Sequence, residues 1–487
     1  MLFGINLVAT DQWFSILEDE ATILDLASSP ASDTLHLFWS GVGQHEHPPL
    51  SDLLLHYWLP LGNSYAWSFR LFSICFYLAG IALLRLCARR LGGKSAAIAL
   101  VLITVLWPFG FHFGRLVGWY GPCFFLVCAL TLAYLRFLDS PAVPNSMLLF
   151  TAALALVYTN YFGWAVLGCL LIDSFVRHYR RQPVNFRTLL VIGAGLVLAY
   201  TPLWTVFINE IRNGVSPSSL VQNILYGGFN FYSLFVSESV APWFWALSIP
   251  AGIAILALLV LSLRYGPPVA RVFLLYFLAL FAAMMLAGIS GTKRMLMISP
   301  WLLLAVSVAV AQAGQRYVRV AMAGLLVLLG SLGWFGIIAR SHYSAPHFIE
   351  PWAKMAKDAK TALDAGARIV SNSPSFFFYL TQLQRCADSG TCPPFQGVLP
   401  ATITHPQIFS VEQWQPEDFT GAPVLFVEGV NKDSAEQTAM LLQWLQGQCH
   451  LDQHEAMLAD TGYAWKLRLF PDSGQIPFRI QTYRFSC

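Results

Sequence analysis

Hydrophobic positions in this chain run in long blocks, with few of the short alternating patterns of a soluble domain. Nine or ten stretches approach the roughly 20 apolar residues that a membrane-crossing helix needs. They lie at about 66–88, 95–113, 120–138, 146–159, 161–176, 188–208, 241–263, 272–290, 295–312 and 318–339. Met147–Phe175 is long enough for a hairpin of two short spans turning near Asn160. The first 17 residues are apolar, contain Asp11 and carry no Lys or Arg. That pattern does not fit a secretory signal and reads as the clipped remnant of an opening span. The expectation is an α-helical polytopic membrane protein of about 11 spans.

After Arg340 the pattern changes. His342–Cys487 holds no span. Ala367–Ser371 and Pro423–Val427 read as short buried strands, and Asp433–Gln446 has helical periodicity. Ala464–Phe470 followed by Phe478–Phe485 alternates as a hairpin does. The chain therefore divides into a transmembrane domain over 1–340, with a first loop at 18–65 that carries amphipathic helices, and a small α/β domain over 341–487.

Charge sharpens this picture. Only 11% of residues are charged and 56% are hydrophobic, whereas a soluble domain carries about 25% charge. Cytosolic and disordered readings are excluded, and a formal net charge of +3 gives no reason to expect a nucleic-acid partner. The cations cluster at every second connection: Arg85, Arg89, Arg90 and Lys94; Arg177, Arg180, Arg181 and Arg187; Arg264 and Arg271; Arg316 and Arg319. Such loops face the cytoplasm. The alternate connections, Asp19–Leu61, Gly114–Tyr120, Asn209–Ser239 and Gly291–Arg294, then face outside, and so does the C-terminal domain. This is a multi-pass inner- or plasma-membrane protein with its chemistry on the extracytoplasmic side. Cys386, Cys392, Cys449 and Cys487 all fall in that outer domain, where two disulfides have three possible connectivities and Cys386–Cys392 is the favoured pair. The other cysteines lie in spans, as small buried hydrophobes.

The unusual residues gather in the outer connections. Glu18-Asp19-Glu20 either complements the positive end of a helix or supplies a catalytic carboxylate. His45, Glu46 and His47, just before Pro48-Pro49-Leu50, are either a solvated loop or metal ligands. Tyr57 and Trp58 suit a helix lying in the headgroup layer. Arg115, between aromatic residues and glycines before Tyr120, is a phosphate clamp or an interfacial anchor. Tyr158-Thr159-Asn160-Tyr161 is a polar turn in an aromatic belt or a ligand contact. Lys293-Arg294 break the positive-inside rule, which an anionic ligand explains and snorkelling to headgroups also explains. Together they describe a cavity with a base, cations and an edge open to lipid, suited to a lipid-borne phosphate and a hydroxyl acceptor. The rival is a transporter or lipid flippase, which would keep its ionisable groups near the bilayer midplane in broken helices. A catalytically inactive scaffold is a third reading.

The order of motifs resembles a known family. An acidic pair (Asp19-Glu20) is followed by Glu46-His47-Pro48-Pro49-Leu50, Arg70, an Arg-x4-Tyr turn (Arg115 to Tyr120), Tyr158-Thr159-Asn160-Tyr161 and Lys293-Arg294. Over about residues 15–340 this is similar to the polyprenyl-phosphate-sugar-dependent glycosyltransferases of the GT-C fold. The nearest branches are protein O-mannosyltransferase-like, rhizobial lipopolysaccharide galacturonosyltransferase-like and aminoarabinose transferase-like enzymes. The resemblance implies transfer of a sugar from a polyprenyl-phosphate donor to a glycolipid, lipopolysaccharide or protein acceptor, by direct displacement with inversion. It implies that Asp19 is the general base and Glu20 its structural or acceptor-side partner. It matches Glu46 to a glutamate that helps some members hold a divalent metal. Arg115, Lys293 and Arg294 match basic positions near the lipid phosphate, with Tyr120, Tyr158 and Tyr161 lining the substrate. Two positions depart from the family: His47 replaces a phosphate-contacting lysine of the aminoarabinose branch, and Asn160 replaces a histidine. No Gly-rich nucleotide loop is present in the right context, as a lipid donor requires.

Overall fold

The computed structural model describes residues 18–40, 47–61, 66–182, 184–213, 220–288, 291–338, 352–389, 406–429, 434–458 and 479–487. These fall into two compact units. The first holds the described residues of Ala31–Leu54 and Arg70–Ala339, the second those of Val8–Pro30, Leu55–Phe69 and Arg340–Cys487.

The first helices among the described residues are α1 (Glu18–Ser28), α2 (Ala31–Ser40) and α3 (Leu50–Trp58). Then come α4 (Ala66–Leu106), α5 (Pro108–Phe113), α6 (Tyr120–Asp139), α7 (Val143–Val157), α8 (Gly163–Tyr179), α9 (Phe186–Ala199), α10 (Trp204–Asn213) and α11 (Leu220–Val236). The membrane unit ends with α12 (Trp245–Tyr265), α13 (Pro268–Leu286), α14 (Ser299–Gln312) and α15 (Arg316–Ile338). At its centre stand α6 and α14; Ser299 through Ala309 are all buried. A helix that is apolar on every side belongs inside a bundle. The two are tied by the Trp301 indole N–H, which donates to Thr131 Oγ1 at 2.9 Å. Glycine permits the closest approaches. A Cβ at Gly121 of α6 would lie 2.5 Å from the Ser73 carbonyl oxygen of α4. At Gly333 and Gly336 of α15 it would lie 2.7 Å from Val236 O and 2.5 Å from Ser239 O.

Among the described residues, five helices are long and apolar enough to cross a membrane: Trp67–Leu106, Tyr120–Asp139, Trp245–Tyr265, Pro268–Leu286 and Arg316–Ile338. The pair Phe186–Ala199 and Thr201–Glu210, bent by 49°, would be a sixth, while α7 and α14 are shorter apolar helices. The expected spans 66–88 and 95–113 share the helical run of α4, which loses helical geometry at Gly93 (φ 74, ψ -166). The second of them stops at Leu106, and α5 starts afresh after Trp107 with Pro108 in its first turn. The expected 188–208 span is broken at the turn Thr201–Leu203. The stretch 209–239, expected as a plain connection, contains α11, which packs on α5, α13 and α15.

The second unit is an α/β domain of α16 (Trp352–Asp364), β1 (Arg368–Ser371), α17 (Pro374–Ser389), β2 (Ile408–Ser410), β3 (Pro423–Glu428), α18 (Ala435–Gln448), β4 (His450–Leu458) and β5 (Arg479–Ser486). The sheet order is β2-β1-β3-β5-β4. β1 runs parallel to β2 and β3, and β5 runs antiparallel to β3 and β4. Central β3 is buried from Val424 to Val427, the continuous apolar run of a strand covered on both faces. The expected strands at 367–371 and 423–427 and the helix at 433–446 are present. The expected hairpin differs: β5 pairs with β4 and β3, so its neighbours are 450–458 and 423–428, and 464–470 lies outside the described residues. A disulfide joins Cys449 to Cys487, at the ends of the β4–β5 pair. Of the three connectivities this agrees only with Cys386–Cys392, and Cys392 lies outside the described residues. Within this unit α1 packs against α17, and His56 Nδ1–H donates to Ala27 O at 2.8 Å.

Candidate active site

The 158–162 turn between α7 and α8 organises one side of the site. Its Tyr158 carbonyl accepts from the Leu50 backbone N–H at 3.1 Å, fixing the start of α3 against the turn. Pro48 and Pro49 cannot compete for that acceptor because they lack an N–H. Asn160 Oδ1 accepts from the Phe162 N–H at 2.9 Å, an Asx turn. Its Nδ2 faces His47 Nδ1 at 3.4 Å. The Tyr158 hydroxyl donates to Ala199 O at 2.6 Å, and the Tyr161 ring packs on Phe207. Tyr158 therefore serves the fold directly, through its hydroxyl.

The aromatic residues link this turn to the cations. The His47 ring lies 4.5 Å from Trp119, and Trp119 lies 4.2 Å from Tyr120. Lys293 Nζ sits over the Tyr120 ring at 5.7 Å, a cation–π contact. Lys293 and Arg294 stand on the short 3-10 turn Thr292–Met297, which is anchored by the Thr292 hydroxyl donating to Asn230 Oδ1 at 3.0 Å. Burial, and then the neighbouring Arg294, push the Lys293 ammonium down to about 7. Burial, and then Arg294, also hold His47 well below the ordinary imidazole range.

A second basic group surrounds α5, beyond the α4 span. Arg115 is fully buried, its guanidinium 4.2 Å above the Phe111 ring and its Nε donating to Phe111 O at 3.2 Å. Burial, then Arg115 and Arg70, drive His112 down to about 3. The His112 Nδ1 hydrogen-bonds Ser237 Oγ at 2.9 Å. Ser237 has φ 60, left-handed for a residue with a Cβ, and such backbone costs of the order of 1–3 kcal/mol. The turn is held by Ser239 Oγ, which donates to Val236 O and Gly333 O, each at 2.9 Å.

The acidic residues are distributed differently. Asp19 and Glu20 belong to α1 in the second unit; Glu20 is buried, and the Asp19 side chain lies outside the described residues. Glu46 lies outside the described residues as well. Among the described residues, no three His, Cys, Asp or Glu side chains come together as metal ligands. Sequence reasoning did not single out Asp52 on α3, whose carboxyl is raised by burial to about 7. It also passed over His112, Trp119 and Ser237. The density of His and aromatic residues around Arg115 was a signal for His112 and Trp119 alone.

Residues 46–205, which include His47, Arg115, Tyr120 and Asn160, match the family model described as dolichyl-phosphate-mannose-protein mannosyltransferase. ArnT from Cupriavidus metallidurans bound to undecaprenyl phosphate matches over 99% of this chain and 97% of that one, with a TM-score of 0.53 and 13% identity. The chain has a GT-C-like fold. The apo form of the same ArnT matches over the same shares with a TM-score of 0.42 and 15% identity. No curated protein sequence matches this chain significantly. In this GT-C fold, the His47, Asn160, Lys293 and Arg294 cluster and the Arg70, Arg115 and His112 cluster belong to one unit, the helical one.

Proposed function

We propose that the chain is a multi-pass membrane enzyme that transfers a sugar from a polyprenyl-phosphate donor to a hydroxyl acceptor outside the cytoplasm. The acceptor class is a glycolipid, lipopolysaccharide or protein. The observation that carries this reading is that the Lys293-Arg294 turn and the His47–Asn160 pair of the helical unit are linked through the rings of Trp119 and Tyr120. Adjacent cations in a place poor in water are costly to fold and are suited to an anionic ligand. The alternation of basic loops supports an extracytoplasmic site, since the Lys293-Arg294 connection then lies opposite the cytoplasmic clusters. The undecaprenyl phosphate bound by ArnT supports the donor class.

In the reaction, the acceptor oxygen forms a bond to the anomeric carbon as the bond from that carbon to the phosphate oxygen breaks. The electron pair goes to the leaving polyprenyl phosphate, the proton goes to the Asp19 carboxylate, and the anomeric configuration inverts. Lys293, Arg294 and Arg115 stabilise the charge that grows on the phosphate. Preorganised electrostatics of that kind are usually the largest contribution to catalysis. Glu20, buried on the same helix as Asp19, is its structural or acceptor-side partner.

The test is release of free polyprenyl phosphate by purified protein in lipid nanodiscs, with a panel of polyprenyl-phosphate sugars and membrane extract as acceptor. Asp19→Asn should lower turnover about 10²–10⁴-fold, as loss of a general base does. Equal release by variant and wild type would remove Asp19 from the mechanism. No release with any donor would overturn the transferase reading.

A further inference from the structure

Asn160 does more than close a turn. An amide side chain can be rotated by half a turn without changing its outline, so the roles of its two ends must come from its partners. Here the Phe162 backbone N–H, 2.9 Å away, can only donate, which makes the near atom of Asn160 the carbonyl oxygen. The other end is therefore the NH2 group, and it points at His47 Nδ1 at 3.4 Å. An NH2 group has no lone pair to offer. His47 Nδ1 must be the acceptor, which requires it to carry no proton. A neutral imidazole with a bare Nδ1 holds its proton on Nε2.

We infer that Asn160 is a positioning residue that fixes His47 as the Nε2–H tautomer, so that His47 serves an anionic oxygen as a hydrogen-bond donor and cannot act as a base. Two further contacts hold the pair in register. The Leu50 N–H to Tyr158 O bond of 3.1 Å locks the segment bearing His47 to the turn bearing Asn160. The Trp119 ring, 4.5 Å from the imidazole, restricts its rotation. The tautomer follows from these contacts alone. Its use on the donor phosphate rests on the function proposed above, and it explains how a histidine can stand in for a cationic side chain without being charged.

Asn160→Asp is the informative variant. Its carboxylate still accepts from the Phe162 N–H, so the turn is preserved, but it now presents an acceptor to His47. The first readout is the ¹⁵N spectrum of histidine-labelled protein in nanodiscs, with His47 assigned from the signal lost in His47→Gln. Wild type should show an unprotonated Nδ1, and Asn160→Asp a protonated one. The second readout is binding of undecaprenyl phosphate at about pH 8.5, above the ordinary imidazole range. Turning Nε2 into an acceptor should weaken it about 10- to 100-fold, the size of a lost hydrogen bond to a charged group. A protonated Nδ1 in wild type, or no change in the variant, would overturn the tautomer assignment. A switched tautomer with unchanged binding would overturn the role on the phosphate. Absence of binding by wild type, with the spectrum as expected, would overturn the donor reading and leave the tautomer established.

Discussion

The candidate site and the α/β unit handle ionisable side chains in opposite ways, whereas elsewhere in the helical unit Arg177 pairs with Asp173 at 2.6 Å. At the site like charges are neighbours: Arg294 presses on both Lys293 and His47, and Arg115 with Arg70 presses on His112. In the α/β unit the groups are complemented. Lys360 pairs with Asp364 at 3.1 Å. Glu428, raised by burial, receives the Tyr483 hydroxyl and the Gln481 amide, each at 3.1 Å. Folding alone favours the second arrangement, because repelling charges away from water oppose the compact state. The first arrangement suits an anionic ligand, whose charge offsets the mutual repulsion of the cations, and this is how a binding site comes to cost stability.

That contrast can be broken most sharply at Arg294. Arg294→Gln should weaken undecaprenyl phosphate binding about 10- to 100-fold while raising the melting temperature of the ligand-free protein. A fall in both would mean that Arg294 is a structural cation and that the site does not differ from the α/β unit as described. The counterpart lies in the α/β unit. Cys449→Ser should destabilise it by about 2–5 kcal/mol, as loss of a native disulfide does, with undecaprenyl phosphate affinity unchanged; thermal melting and the binding assay read the two effects separately. The smallest effect concerns pH. With its ammonium titrating at about 7, Lys293 is charged below that value and neutral above it. Undecaprenyl phosphate affinity should therefore fall as pH rises through about 7, and Lys293→Arg, which stays charged, should flatten that profile. A profile identical in the two proteins would take Lys293 out of phosphate binding.

Much of this arrangement was legible in the sequence, for a physical reason. Lipid demands long apolar runs, so the spans and the change of character near Arg340 are written in composition. The parts that were not legible depend on tertiary partners. The stretch from Leu220 to Val236 reads as a connection because Gln222, Asn223, Gly227, Gly228 and Asn230 interrupt its apolar residues. In the fold, α11 is buried at its C-terminal end, from Ser233 to Val236, and Asn230 Oδ1 accepts from the Thr292 hydroxyl. Strand β4 was passed over because HLDQHEAML carries the polar residues of a sheet edge. The cations of the site stood out as exceptions to the positive-inside rule, whereas the pairing of Asn160 with His47, 113 positions apart, has no local signature.

The hairpin that carries Asn160 has one more consequence, concerning the membrane itself. Helix α7 has 15 residues and α8 has 17. At 1.5 Å per residue these reach about 22 and 26 Å, short of the roughly 30 Å hydrocarbon layer. Such a mismatch is met by thinning the bilayer or by sinking the turn below the level of its surroundings, at fractions of a kcal/mol per ångström. In either case a lipid arriving from the surrounding leaflet meets a depression. Its chain need not be pulled out of the bilayer for its headgroup to reach the protein, and the composition and thickness of the host membrane become variables of the reaction.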